Sequence, residues 1–157
     1  DAGPRREEAG AEPWAIQGPN ETPLVLVVED NADCRALVRD VLHAEGLQTV
    51  EAATADEGFE MAVRLRPALV VADLALSCSE SAILRNGVDL VTALARKPGL
   101  EDIPVILLTG APAEGRALLR NVETIASVRL LEKPLGIREM RAAVDRALQA
   151  GYSRVDR

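Results

Sequence analysis

The sequence predicts an α/β domain: a five-stranded parallel sheet with helices on both faces. Three observations predict it. From Leu24 onward, strand-length apolar runs alternate with helix-length stripes, five of each. Two of the runs, Leu24 to Val28 and Leu69 to Ala72, are continuously apolar without polar alternation, the mark of strands buried on both faces. Each run is separated from the next by a helical segment, so the strands are joined by crossovers, which are right-handed in nearly all such sheets.

Residues 1 to 23 contain Pro4, Pro13, Pro19 and Pro23, three glycines and mixed charge, without apolar periodicity. This composition predicts a flexible leader or inter-domain linker. Leu24 to Val28 is the first strand. Asn31 is placed to cap a helix over about residues 32 to 45, with Leu37, Val38, Val41 and Leu42 as its stripe and Gly46 as a left-handed stop. A strand follows near Leu47 to Glu51, then a helix from Ala55 to Leu65 that must end before Pro67. Leu69 to Ala72 is the third strand and Val88 to Arg96 the third helix. Pro104 to Leu108 is the fourth strand and Ala113 to Val122 its helix. Val128 to Leu131 closes the sheet. The last helix, Ile137 to Leu148, carries Met140, Ala143, Val144 and Leu148 at core-facing spacing. The domain is thus expected over residues 24 to 150, with a short tail at 151 to 157.

Composition narrows the function. Trp14, Phe59 and Tyr152 are the whole aromatic set, too few for the stacking platform of a single-strand nucleic-acid binder. A formal net charge of −7 disfavours phosphate backbones and anionic lipid. Cys34 and Cys78 form no disulfide framework and read as reduced thiols, so a cytoplasmic location is expected. No apolar run reaches the length of a membrane span, and no signal peptide is read at the start. A chain opening at Asp1 reads as a fragment or a processed form.

In doubly wound sheets, ligands sit beyond the carboxyl ends of the strands. Those positions carry Glu29 and Asp30 after the first strand, Asp73 after the third, Thr109 after the fourth and Lys133-Pro134 after the fifth. Three convergent carboxylates repel one another, and a hard divalent cation such as magnesium relieves that conflict. One carboxylate then stays ionised as a nucleophile towards phosphorus. Phosphoryl transfer needs mainly positive charge and donors around the moving oxygens, which the cation, Lys133 and the Thr109 hydroxyl supply. Singly, each residue also fits a bland role as a helix start, turn or cap; the joint pattern carries the argument.

These residues bear a family resemblance. Val28-Glu29-Asp30-Asn31-Ala32-Asp33-Cys34-Arg35 resembles the opening signature of the response-regulator receiver family. Val70 to Leu76 resembles its phosphoacceptor strand, and Pro104 to Gly110 and Leu131 to Leu135 resemble its remaining two motifs, all in order. The resemblance spans residue 24 to about 149. It implies the flavodoxin-like (βα)5 fold with strand order 2-1-3-4-5. It implies Asp73 as phosphoacceptor, Asp30 as a direct magnesium ligand, Glu29 as an outer-sphere one, and the Ala75 carbonyl as the remaining protein ligand. Thr109 and Lys133 would contact the phosphoryl group. The implied partners are a histidine kinase or histidine phosphotransfer protein and a downstream protein target, with a homodimer allowed and no nucleic acid or membrane. The chain would be no enzyme beyond its own phosphorylation and slow dephosphorylation.

Several positions depart from the family pattern. Ser77 stands where the family has proline, and Gly87 comes six residues later than the usual glycine. Leu130 replaces the usual Tyr or Phe three residues before the lysine, so the usual ring rotation has no ring. Ala75 and Ala111 offer no polar group to orient a hydrolytic water, which predicts slow loss of the phosphoryl group. Ser77-Cys78-Ser79-Glu80 has capping-box spacing and Asn86-Gly87 reads as a stop, predicting about two turns of helix that shape kinase docking or cover the phosphoryl group. His43, the one histidine, is expected on a helix surface. A haloacid-dehalogenase-type phosphatase would want a second Asp where Ala75 stands, and Glu29-Asp30-Asn31-Ala32 is no glycine-rich dinucleotide turn. The main alternative is a degenerate receiver that binds a partner without phosphorylation. A stand-alone regulator and a receiver from a hybrid kinase fit equally.

Overall fold

The computed structural model describes residues 22–120 and 127–155, with side chains described through residue 150. Most of the expected leader therefore lies outside the described residues. Five strands are present: β1 (Leu24–Val28), β2 (Gln48–Ala52), β3 (Leu69–Asp73), β4 (Val105–Thr109) and β5 (Val128–Glu132). They alternate with α1 (Ala32–Ala44), α2 (Ala55–Leu65), α3 (Gly87–Arg96), α4 (Pro112–Leu119) and α5 (Ile137–Val155). All strand pairs are parallel, in the order β2-β1-β3-β4-β5. The expected architecture and strand order are both present.

Strand alternation divides the aliphatic core in two. Val25, Val27, Leu69, Val71, Ile106 and Leu108 point to one face, where α1 and α5 cover them with Val38, Leu42, Met140 and Val144. Leu26, Val28, Val70, Ala72, Val105 and Leu107 point to the other, beneath α2, α3 and α4. The central strands β3 and β4 are buried throughout, whereas edge strands β2 and β5 expose residues such as Gln48 and Arg129.

Local chemistry explains the helix ends. The Asn31 side chain accepts from Cys34 N–H at 2.8 Å, and Thr54 accepts from Glu57 N–H at 3.1 Å. After α1, Gly46 takes φ 81°. Arg66, before Pro67, ends α2 in the left-handed region at φ 49°, because proline disfavours another helical residue before it. The helix α5 extends past its apolar stripe to Val155, as added turns cost little once a helix is nucleated. Leu37, expected in the core stripe of α1, is instead 45 % exposed. His43 is exposed, as expected, and pairs with the Thr49 hydroxyl at 2.9 Å.

The segment after β3 corrects the sequence reading. Residues 77 to 86 form no helix; a single turn brings Ala82 N–H to the Ser79 carbonyl at 3.2 Å. Two distant carboxylates take the N–H groups instead. Asp30 accepts from Ser77, and Asp56 accepts from both Ile83 and Leu84. Asn86 and Gly87 start a helix rather than stopping one: Asn86 caps α3 by accepting from Asp89 N–H at 2.8 Å.

Gly87 lies against the end of β3. A Cβ there would sit 2.6 Å from the Asp73 carbonyl oxygen and 2.9 Å from Leu74 Cα, both main chain and unable to yield. At Gly110 an added Cβ meets nothing within 4 Å. Gly87→Ala should therefore lower unfolding free energy by about 1–3 kcal/mol in urea titration. Gly110→Ala should be near neutral. Equal effects would refute the close approach.

Candidate functional site

Between β1 and β3 the strand order reverses, so their carboxyl ends open a crevice between diverging connections. Glu29 and Asp30 follow β1, and Asp73 ends β3. Glu29 is 1 % exposed, Asp73 7 % and Thr109 4 %; they are the buried polar side chains of the described residues. Oxygen atoms of Glu29, Asp30 and Asp73 lie within 4.8 Å of one another.

Lys133 reaches into this group. Its Nζ lies 3.0 Å from Asp73 Oδ2 and 3.4 Å from Glu29 Oε1. Its backbone places it there, because Lys133 N–H donates to the Thr109 carbonyl at 2.7 Å and continues the β4–β5 pairing. The Lys133–Pro134 peptide is cis. Thr109 ends β4, next to β3, and its hydroxyl oxygen accepts from Ala111 N–H at 3.0 Å. That leaves the hydroxyl proton for another acceptor. Ala75 N–H donates to Asp73 Oδ1 at 3.2 Å.

The electrostatics follow from burial and crowding. Burial raises the Glu29 carboxyl, opposed by Asn31 N–H and the Cys34 side chain, with the Asp73 charge adding to the rise. Hydrogen bonding from the Ser77 side chain lowers Asp30 against partial burial, and Ser77 N–H adds to the effect. Burial pulls Lys133 down, but hydrogen bonding and charge from Asp73, then Glu29, outweigh it and hold the ammonium protonated. Burial and then the neighbouring Glu29 push the Cys34 thiol up to about 11. An all-oxygen anionic donor set beside a protonated thiol suits a hard divalent cation such as magnesium over a soft one.

A family model for the response regulator receiver domain matches residues 25–145. The chain belongs to this family. The receiver domain is 32 % identical over 120 residues to the phosphate regulon transcriptional regulatory protein PhoB of Escherichia coli, covering 76 % of this chain and 49 % of PhoB. It is 29 % identical over 126 residues to sporulation initiation phosphotransferase F of Bacillus subtilis, covering 79 % of this chain and 92 % of that protein. It is also 29 % identical to the sensor histidine kinase TmoS of Ectopseudomonas mendocina, spanning 87 % of this chain but 13 % of TmoS. The chemotaxis response regulator CheY4 of Vibrio cholerae shares the fold, with a TM-score of 0.70 at 22 % identity, covering 82 % of this chain and all of that one. No helix of the described residues is long and apolar enough to cross a membrane.

The receiver domain thus brings Glu29, Asp30, Asp73 and Lys133 together and sets Thr109 and Ala75 beside them. Leu130 packs inward: a Cβ on Gly115 of α4 would lie 3.3 Å from its Cδ2. Sequence reasoning missed Arg35, whose guanidinium donates to the Glu29 carbonyl at 2.7 Å and pairs with Glu51 of β2 at 3.0 Å. It also missed Cys34 beside Glu29, and Asp56, which accepts from Ile83 and Leu84 N–H.

Thiol reactivity reports on this site. At pH 8 about a thousandth of a thiol with pKa near 11 is ionised. Iodoacetamide should label the exposed Cys78 well ahead of Cys34. Glu29→Gln removes the neighbouring negative charge, lowers the Cys34 pKa and should speed its labelling, read by peptide mass spectrometry. A Cys34 rate indifferent to Glu29 would contradict the contact.

Proposed function

We propose that this receiver accepts a phosphoryl group on Asp73 from a phosphohistidine partner, in a magnesium-dependent reaction, and thereby switches binding of a downstream protein. The observation that carries the reading is the carboxylate triad with Lys133 bonded to Asp73 at 3.0 Å. Asp30 and Asp73, with Glu29 behind them and the Ala75 carbonyl, would hold the cation. When bound, magnesium neutralises the crowded carboxylates and draws charge from the phosphoryl oxygens.

The chain's own groups account for the rest. An Asp73 carboxylate oxygen bonds to phosphorus as the bond from phosphorus to the donor histidine nitrogen breaks. The electron pair returns to the imidazole, which takes up a proton. Lys133 moves its ammonium contact from the free carboxylate to the transferred oxygens, and the Thr109 hydroxyl donates to another. Leu37 and Ile137, 45 % and 57 % exposed, border an apolar groove with Val41 and Leu135. Both walls leave directly from site residues Asp30 and Lys133, which supports this groove as the face for the donor. The reaction belongs in the cytoplasm, where a sensor kinase presents its phosphohistidine. The degenerate-receiver alternative finds no support in a triad and lysine this closely assembled.

Incubation with magnesium and a small acyl phosphate should give acid-stable, base-labile phosphate on Asp73. Asp73→Asn should reduce labelling to background while preserving the fold. Asp30→Asn should weaken magnesium binding and slow transfer. Magnesium at a hundred times its Kd should raise unfolding free energy by about 2.7 kcal/mol. Undiminished labelling of Asp73→Asn on another carboxylate would overturn the assignment.

Persistence is a separate expectation. Neither Ala75 nor Ala111 can orient an attacking water, so the acyl phosphate should decay slowly. Ala75→Asn or Ala111→Glu should change the decay constant of pre-labelled protein, followed after donor removal. A rate unmoved by both changes counts against this account.

A further inference from the structure

Ser77 occupies the position where the family resemblance places a proline, four residues after Asp73. Proline has no N–H. Ser77 has one, and it donates to Asp30 Oδ2 at 2.9 Å across 47 positions of sequence. The same loop is tied down at its far end. Asp56, in the first turn of α2, accepts from Ile83 N–H at 3.0 Å through one oxygen and from Leu84 N–H at 2.8 Å through the other. Leu84 packs against the core beneath α2 and α3. Between the two ties, the chain makes a turn closed by Ala82 N–H on the Ser79 carbonyl at 3.2 Å, and the Ser79 and Ser81 hydroxyls lie 3.1 Å apart.

We propose that residues 77 to 84 act as a strap that positions the Asp30 carboxylate for a divalent cation, with the Ser77 main-chain N–H as the positioning group and Asp56 as the anchor. The proposal rests on the magnesium reading above and adds what aims the ligand. Asp30 sits at the crevice mouth, partly open to water, where a carboxylate is otherwise free to rotate. A donor on one oxygen sets the direction of the second, which lowers the ordering cost of taking a cation. An exposed N–H such as that of Ser77 bonds equally well to water unless its chain is held in place. Asp56 and the burial of Leu84 hold it. An inserted loop longer than the family's thereby gains a function at its first residue.

The test is calorimetric titration of the intact chain with magnesium chloride, alongside amide exchange at Ser77 by NMR. In the metal-free wild type the Ser77 amide should be protected. Ser77→Pro, which removes the N–H, should weaken magnesium binding about tenfold, the low end for a group that orients a metal ligand. Ser77→Ala removes the hydroxyl's bonding to Asp30 but keeps the N–H, and should lose clearly less affinity than Ser77→Pro. Asp56→Ala should speed Ser77 amide exchange and give an intermediate loss of affinity. It tests the same bond from the other end should Ser77→Pro fail to fold. Equal affinity of Ser77→Pro and wild type overturns the proposal. So does a Ser77→Ala as weak as Ser77→Pro, or an Asp56→Ala with an unchanged Ser77 amide. A wild-type chain that takes no magnesium sinks the metal reading itself, which separates the two failures.

Discussion

Like-charge crowding at the carboxyl edge of a parallel sheet governs this molecule. Glu29 and Asp73 are buried side by side, Asp30 adds a third carboxylate, and among the described residues Lys133 supplies the ammonium bonded to the cluster. Ionised carboxylates taken out of water are costly unless paired. Burial accordingly lifts the Glu29 carboxyl, while contact with the acids keeps Lys133 charged. One cation against three acids leaves an excess of negative charge. In the proposed function a divalent cation would offset that excess before an anionic phosphoryl group could approach. Lys133 is partly solvated, so its ion pairs contribute less to stability than fully buried ones would. Their value lies in direction.

The surroundings of the cluster serve the same constraint. Arg35 neutralises no carboxylate of the triad directly; it clasps the Glu29 carbonyl and anchors on Glu51 of the neighbouring strand. This holds the turn after β1 in place while leaving the acidic side chains available. Gly87 lets α3 start against the main chain of Asp73, so the third strand end is backed by a helix rather than by a loose loop. On the far side, Leu130 and Gly115 fill the space between β5 and α4 with aliphatic contact. A branched aliphatic side chain there has no planar ring to swing between two positions.

The loop after β3 shows how tertiary acceptors defeat a local signal. Ser77 to Glu80 carries capping-box spacing, and a short helix there would satisfy its own N–H groups. Such a helix is too short to repay nucleation unaided. Asp30 and Asp56, carried at the end of β1 and the start of α2, offer carboxylate acceptors stronger than the loop's own carbonyls. The segment therefore stays non-helical, with one turn at Ser79 to Ala82, between two carboxylates that are 47 and 27 positions away from their donors.

By itself the sequence determined the alternation of strands and helices, the two-sided burial of β1 and β3, and the identity of the residues at the strand ends. Those properties follow from apolar periodicity, from capping residues such as Asn31 and from proline at 67, which act within a few positions. The placement of Glu29, Asp30, Asp73, Thr109 and Lys133 at one edge was legible too, because parallel strands joined by crossovers all end on the same side. Tertiary structure alone decided which donors meet these acids. Ser77 on Asp30, Asp56 on Ile83 and Leu84, Arg35 on the Glu29 carbonyl and Cys34 beside Glu29 leave no periodic trace. Hydrogen bonds between distant residues depend on orientation to within a fraction of an ångström, which only the assembled sheet and its helices supply.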